Sequence, residues 1–312
     1  METRFLTPFR TIASLESFTL AARQLGYSQS TVSAQIRSLE AETGAQLFDR
    51  TGRKLRLTDT GTRLLELSEN ILSLETKVRG LSSEGSGPSG ELRIAAVESL
   101  IVVRLRNILA TFREACPNVC VSLHNSVCVE TVDSVVHGEV ELAFVIMPPL
   151  RHPDLDVLPL ATEEMVFVAS ANADDDLLLR ALACGRLEDC FIFTEQGCTY
   201  RIVVEHFFRE RGVIPGRRME MWSMDAIRRY VESGFGISFM PRMYVEEAIR
   251  RGALKILKAP RIEETFCTQL LRKKRCDLSF AACELVRIAQ KSAGGWDLLE
   301  TQPKPENILQ AR

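Results

Sequence analysis

A run of small and polar residues, Ser82-Ser83-Glu84-Gly85-Ser86-Gly87-Pro88-Ser89-Gly90, divides the chain into two regions of different hydrophobic period. Residues of this kind supply little to a core and do not sustain a helix, so the run reads as a linker. Before it, apolar residues recur at three- and four-residue spacing, the period of helices. After it, short β-rich runs alternate with helical ones. The length of 312 residues, about twice a typical domain of roughly 150, agrees with two parts. With 46% hydrophobic and 26% charged residues, disorder, a collagen-like repeat and a disulfide miniprotein are excluded. No apolar run approaches the roughly 18–20 residues of a membrane span, and METRFLTPFR has no apolar signal core. The expectation is a cytoplasmic protein without a membrane partner.

In the first region, Thr7 and Pro8 read as the cap and first residue of a helix carrying Phe9, Ile12 and Ala13. Phe18, Ala21, Ala22 and Leu25 make a second short helix, ended by Gly26. Ser28 caps a third, with Val32, Ile36 and Leu39 on one face and Gly44 at its end. Two short helices joined by the tight Gly26-Tyr27 turn match a helix-turn-helix. The third helix leaves Gln29, Ser30, Ser33, Ala34 and Arg37 off its apolar stripe, a polar face suited to a major groove. Any small three-helix core would share the apolar pattern. Leu47-Phe48 and RTGRKLRLT then read as a two-stranded wing turning at Thr51-Gly52.

The net charge of −2 does not suggest a nucleic-acid binder. Its distribution does. Between positions 47 and 63 lie Arg50, Arg53, Lys54, Arg56 and Arg63 against only Asp49 and Asp59, a local basic patch fit to meet phosphates. A solvated charged turn would look the same on charge alone. From Asp59 a long helix carries Leu64, Leu67, Ile71, Leu74, Val78 and Leu81 at alternating three- and four-residue spacing. That is a heptad seam, which favours a dimer.

Beyond the linker, β-rich runs at 92–97, 119–125, 142–146, 165–169, 191–194, 219–222, 236–240 and 265–271 alternate with helical segments. The helical ones are 102–115, 132–138, 199–211, 224–232, 241–250 and 278–293. This alternation predicts α/β architecture with mostly parallel sheets. Nine cysteines without a CxxC pair, and four scattered histidines, give no metal-ligand spacing and no disulfide framework. No metal and no cofactor are expected.

The segment from Ser17 to Gly61, SFTLAARQLGYSQSTVSAQIRSLEAETGAQLFDRTGRKLRLTDTG, resembles the LysR-type transcriptional regulators. So do GCTYR from Gly197 to Arg201 and VESGFGISFMP from Val231 to Pro241, and the likeness runs over nearly the whole chain. It implies a multidomain α/β protein: a winged helix-turn-helix at 1–58, a dimerising linker helix and hinge at 59–90, and a two-lobed periplasmic-binding-protein-like effector domain at 91–293. Lobe one would span about 92–160 and 265–293, lobe two about 161–264, with a tail at 294–312. It implies double-stranded operator DNA as partner, homodimers pairing into homotetramers, a small-molecule effector, and no catalysis. RNA polymerase is an additional candidate partner. DNA contacts fall on Ser28, Gln29, Ser30, Ser33, Arg37, Arg50, Arg53 and Lys54, and dimer contacts on Leu64, Leu67, Ile71, Leu74 and Val78. One departure is position 34, often basic in the family and here Ala34, which moves readout onto Gln29, Ser30 and Ser33.

In a two-lobed α/β domain the ligand sits at the carboxyl ends of strands, where helix N-termini present N–H groups. Three loops fit: Glu98-Ser99-Leu100, Asn125-Ser126-Val127 and Gly197-Cys198-Thr199. Ser99, Leu100, Ser126, Val127, Gly197, Cys198, Thr199 and Trp222 are the candidate effector residues, and hydroxyls beside helix N-termini favour a small anion. Each loop could equally be an ordinary helix cap. Cys198, at a helix start with Arg201 one turn on, resembles the placement of the reactive cysteine of peroxide-sensing members. The resolving cysteine's position, nine residues later, holds Phe207. A redox sensor and a cysteine-dependent enzyme are the alternatives, and the enzyme lacks a base near Cys198.

Overall fold

The computed structural model describes residues 2–49, 55–81 and 88–296. It divides into two compact units, one centred on residues up to 86 and the other on most of the rest.

In the first unit a 3-10 turn, Thr3–Phe5, runs straight into α1 (Leu6–Leu15). The helix therefore starts before the expected Thr7 cap. Pro8 lies within the first turn, where a backbone N–H has no intrahelical acceptor, so its ring costs no hydrogen bond. α2 (Phe18–Leu25) is capped by the Ser17 hydroxyl, which accepts from the Leu20 N–H, and closes at Gly26 in the left-handed region. α3 (Gln29–Thr43) is capped in the same way by Ser28. β1 (Phe48–Asp49) and β2 (Arg56–Leu57) pair antiparallel as the stem of the wing. α4 (Asp59–Leu81) follows.

The core of this unit joins Leu6, Phe9 and Ile12 of α1, Ala21 and Ala22 of α2, and Val32, Ile36 and Leu39 of α3. Leu47, Phe48 and Leu64 of α4 complete it, with the Phe48 ring edge-on to Phe9 and Phe18 at 5.4 and 5.5 Å between centroids. The small Ala21 and Ala22 let α2 approach its neighbours closely. Gly61, in the first turn of α4, sits against the Leu47 carbonyl, where a Cβ would lie only 2.2 Å from the oxygen. Any larger residue there must push α4 off the wing.

In the second unit, β3 (Ser89–Ala96) starts the main sheet, and the chain then turns into α5 (Glu98–Leu100), a π-helical turn at Ile101–Leu105 and α6 (Arg106–Ala115). β4 (Asn118–Asn125), α7 (Cys128–Val136) and β5 (Leu142–Met147) follow, with β4 and β5 parallel to β3 on either side. β6 (Leu155–Glu163) and β7 (Met165–Ser170) lead into α8 (Leu177–Cys184), β8 (Arg186–Phe193), α9 (Thr199–Glu210) and β9 (Ile214–Glu220). Next come α10 (Met224–Glu232), β10 (Ser238–Pro241), α11 (Arg242–Arg250) and β11 (Leu254–Ile256). β12 (Phe266–Lys273) and α12 (Phe280–Ala293) complete the series.

The sheets are mixed rather than mostly parallel. β12 inserts between β5 and β6, antiparallel to both, giving the order β4-β3-β5-β12-β6. The β3–β4 and β3–β5 pairs keep the parallel order that helical crossovers give, and the returning strand β12 does not. β7 likewise pairs antiparallel with β10 and β11, while β8 and β9 pair parallel. Four elements of this unit were not anticipated: the one-turn α5, read as a loop, and β6, α8 and β11. β6 carries Pro159 and its register shifts opposite Thr268 and Gln269, β11 has three residues, and α8 is a short apolar run without helical alternation.

Candidate functional site

In α3 the buried stripe of Val32, Ile36 and Leu39 fixes which residues face outward. Gln29, Ser30, Ala34 and Arg37 are exposed and Ser33 is half-buried. The Ser28 hydroxyl is occupied locally: it lies 2.8 Å from both the Ser30 and Thr31 hydroxyls and accepts the Thr31 N–H. The serines thus stiffen the helix start, which leaves Gln29 and Arg37 as the long donors on its outer face. Tyr27, just ahead of the cap, is 52% exposed and was not singled out from the sequence, although an exposed aromatic in a turn is a recognisable signal. Arg50, Arg53 and Lys54 lie outside the described residues.

The expected seam on α4 divides. Leu64 is buried in the first unit's own core and Ile71 packs against the same cluster, so these two are taken up within the chain. Leu67 and Leu74 are 57% and 53% exposed. The stripe straddles the edge of the helix's packed face, which is why a single apolar row serves two surfaces. The Val78 side chain lies outside the described residues.

The second unit holds a cavity of about 150 Å³ at the carboxyl ends of its parallel strands. β3 and β4 deliver Val97, Glu98, Ser99, Asn125, Ser126 and Val127; β8 and β9 deliver Thr194, Glu195 and Trp222. Two polar bridges span it from the α5 side. The Ser99 hydroxyl and the Tyr200 phenol lie 2.9 Å apart, both buried. The Glu98 carboxylate accepts from the Ser223 hydroxyl at 3.2 Å and from the Met224 N–H at 3.0 Å. Glu98 therefore supplies the anion at the N-terminus of α10.

Of the expected effector residues, the structure brings Ser99, Ser126, Val127, Cys198 and Trp222 to this cavity. Leu100 is fully buried, its N–H bonded to the Val97 carbonyl, and belongs to the core. Gly197 turns in the left-handed region, where a Cβ would lie 3.6 Å from the Val127 side chain, and is not itself a lining residue. Thr199 directs its hydroxyl to the Cys128 thiol. The Ser126 hydroxyl is shared with Thr131 at 2.8 Å. The hydroxyls expected to receive an anion are thus engaged with protein partners.

Glu130 and Glu195 were missed, because charge on a helix start and on a strand-end loop looks solvated in sequence. With Glu98 they put three carboxylates on the cavity, and among the described residues no lysine, arginine or histidine lines it. Burial raises the Glu195 carboxyl above the usual carboxylate range, and repulsion from Glu98 and Glu220 adds to it. Arg201 lies nearby but is spent elsewhere, donating to the Thr194 carbonyl and pairing with Glu205 and Glu220.

Cys198 differs from a reactive thiol. It is 8% exposed, and desolvation pushes its pKa up to about 12, despite the neighbouring Thr194 hydroxyl. Cys128, seventy positions earlier in sequence, is close enough to raise it further, and burial raises the Cys128 thiol as well. Arg201 directs its charge to carboxylates instead of to the sulfur. His206 pairs with Glu210 and Glu264, so no histidine stands ready as a base for Cys198. Among the described residues no cluster of three or more His, Cys, Asp or Glu could hold a metal ion, and no helix is long and apolar enough to cross a membrane.

Two family descriptions match nearly the whole chain: "Bacterial regulatory helix-turn-helix protein, lysR family" over residues 3–62 and "LysR substrate binding domain" over residues 85–294. A relative, the HTH-type transcriptional regulator GltR of Bacillus subtilis, is 33% identical over 255 residues, 82% of this chain and 84% of that protein. Three solved structures share the fold. ArgP from Mycobacterium tuberculosis has a TM-score of 0.70 at 18% identity, covering 95% of this chain and 98% of that one. A full-length OxyR variant from Pseudomonas aeruginosa has a TM-score of 0.66 at 19%, covering 94% of each. Full-length CbnR in complex with its target DNA has a TM-score of 0.52 at 22%, covering 94% and 100%.

Proposed function

This chain belongs to the LysR family of transcriptional regulators, and we propose that it binds operator DNA in the cytoplasm as a dimer of dimers, switched by a small effector in the cavity of its second unit. The observation that carries this reading is α3. One face is anchored in the core by Val32, Ile36 and Leu39, while Gln29 and Arg37 project from the other. A helix so held can enter a major groove and present two long polar side chains to base edges and phosphates. The wing arginines Arg50 and Arg53 and Lys54 add phosphate contacts beside it. Residues 1–58 are the DNA-binding domain, 59–90 the dimerising helix and hinge, and 91–293 the effector domain, whose lobes are 92–160 with 265–293, and 161–264.

Each DNA-binding domain reads one half-site, so specific binding requires two, and the outward Leu67 and Leu74 support pairing through α4. Effector binding reorients the lobes through the Ser99–Tyr200 and Glu98–α10 bridges, and RNA polymerase is a further partner of the DNA-bound form. A coupling of about 1–3 kcal/mol between effector and DNA suffices for such a switch. Fluorescence anisotropy of the full chain with duplex fragments across a salt series tests the reading. Affinity should fall linearly on logarithmic axes as salt rises. Absence of duplex binding at low salt refutes it.

A further inference from the structure

We propose that the cavity takes a small organic cation, an alkylammonium or diammonium compound, rather than the anion that its helix starts suggest. The proposal rests on reading the cavity as the effector site and adds the chemical class of the ligand. Glu98, Glu130 and Glu195 line one cavity, with no basic side chain among the described residues of its lining. Among the described residues neither Glu130 nor Glu195 forms an ion pair, whereas the nearest guanidinium, Arg201, is held by Glu205 and Glu220. An anion entering here would meet three like charges in a partly dry site, an arrangement that disfavours binding.

A separate observation points to an absent polar partner. Thr194 is 4% exposed and lines the same cavity. Its hydroxyl can point its hydrogen at the Cys198 thiol, but its oxygen accepts from no donor, although a buried hydroxyl oxygen normally finds one. A ligand N–H beside Glu195 would give it one. Glu195 is half-buried, and desolvation first, then Glu98 and Glu220, raise its carboxyl against the smaller opposing pull of Arg201, so its counter-charge is only partly supplied. Trp222, 74% exposed at the lining, offers an aromatic face on which a cation can rest. Glu98 is already bonded to Ser223 and the Met224 N–H. It adds field without needing to release that contact, so Glu195 and Glu130 are the residues to hold the ammonium groups.

Size narrows the class. A cavity of about 150 Å³ suits a ligand of roughly benzene size, on the order of six to eight non-hydrogen atoms. A four-carbon chain with a polar group at each end meets that limit.

The test uses three probes that share one shape and differ in charge: 1,4-diaminobutane, 1,4-butanediol and succinate. Each is titrated into the full chain by calorimetry and thermal shift at matched ionic strength. The diamine alone should bind and raise the melting temperature, and Glu195→Gln should weaken it about tenfold, the loss of one charge-assisted contact. Glu130→Gln should weaken it less, since Glu130 is exposed. Far-ultraviolet circular dichroism of each variant separates lost binding from lost folding. Preference for succinate, equal binding of the diol, no binding of any probe, or a diamine affinity unchanged in both glutamine variants would each overturn the inference. Preference for succinate or equal binding of the diol keeps the effector site and changes only its ligand. Failure to bind duplex DNA would instead sink the regulator reading and leave the charge result standing.

Discussion

Cys198 sets a ligand-responsive regulator apart from a redox-sensing one, and its environment gives a rate. With its pKa pushed up to about 12, against an ordinary 9.0, the thiol at pH 8 is ionised to about one part in ten thousand, where an ordinary thiol reaches about one in ten. That is a roughly thousandfold loss of thiolate. The more basic thiolate is the better nucleophile, and a Brønsted coefficient of about 0.4–0.5 over three units returns about twentyfold. Ionisation therefore wins, leaving Cys198 about fiftyfold slower before access is considered. Burial slows it further. A pulse of iodoacetamide at pH 8, quenched and read cysteine by cysteine by mass spectrometry, should show Cys198 labelled at least fiftyfold more slowly than the exposed Cys120. The difference should vanish in denaturant. Labelling of native Cys198 at a rate comparable to Cys120 would refute the burial argument, and peroxide-dependent DNA binding lost in Cys198→Ser would restore the redox alternative.

Leu67→Lys with Leu74→Lys should convert dimer to monomer in sedimentation and weaken specific DNA binding, because these two leucines are the exposed members of the stripe on α4; an unchanged oligomer would show that pairing lies elsewhere. Gln29→Ala should lose about 1–3 kcal/mol of discrimination at one base pair, read by competition with single-base variants of the site. Arg53→Ala should instead weaken all duplexes alike and lower the salt slope by about one unit; the opposite pattern would exchange their roles. Gly61→Ala should destabilise the first unit by about 1–3 kcal/mol, because its Cβ would fall 2.2 Å from the Leu47 carbonyl oxygen. Heat should then abolish duplex binding at a lower temperature than in the parent chain.

The helix-turn-helix was legible because its signals are local. Ser28 caps α3 as its position suggests, Gly26 ends α2, and the stripe of Val32, Ile36 and Leu39 orients α3. The same local logic failed at Thr7, where the preceding 3-10 turn extends the helix backwards. The seam from Leu64 onward showed its period but not its partner: a row of leucines is silent on whether it meets a second chain or its own domain, and Leu64 does the latter.

Strand direction was less accessible. β12 is fixed by its place between β5 and β6, a long-range pairing that no window of sequence carries. In the cavity the strand-end loops were found, because carboxyl ends of parallel strands are marked by small polar residues. The charge of the site was not. Glu130 and Glu195 acquire meaning only when β4 and β8 bring their loops to one cavity. The Ser99 hydroxyl, read as free, is claimed by Tyr200, a hundred and one positions away. Cys128 and Cys198 likewise meet only through the fold.

The central claim is that two copies of this chain read DNA together through α3. Sequencing the genomic fragments retained by the full-length protein at moderate salt tests it most directly. The account predicts an enriched site with two inverted half-sites spaced by about one helical turn, or a multiple of it. Fragments retained without a common sequence, or a single half-site bound as tightly by the Leu67→Lys, Leu74→Lys double variant as by the parent chain, would contradict it.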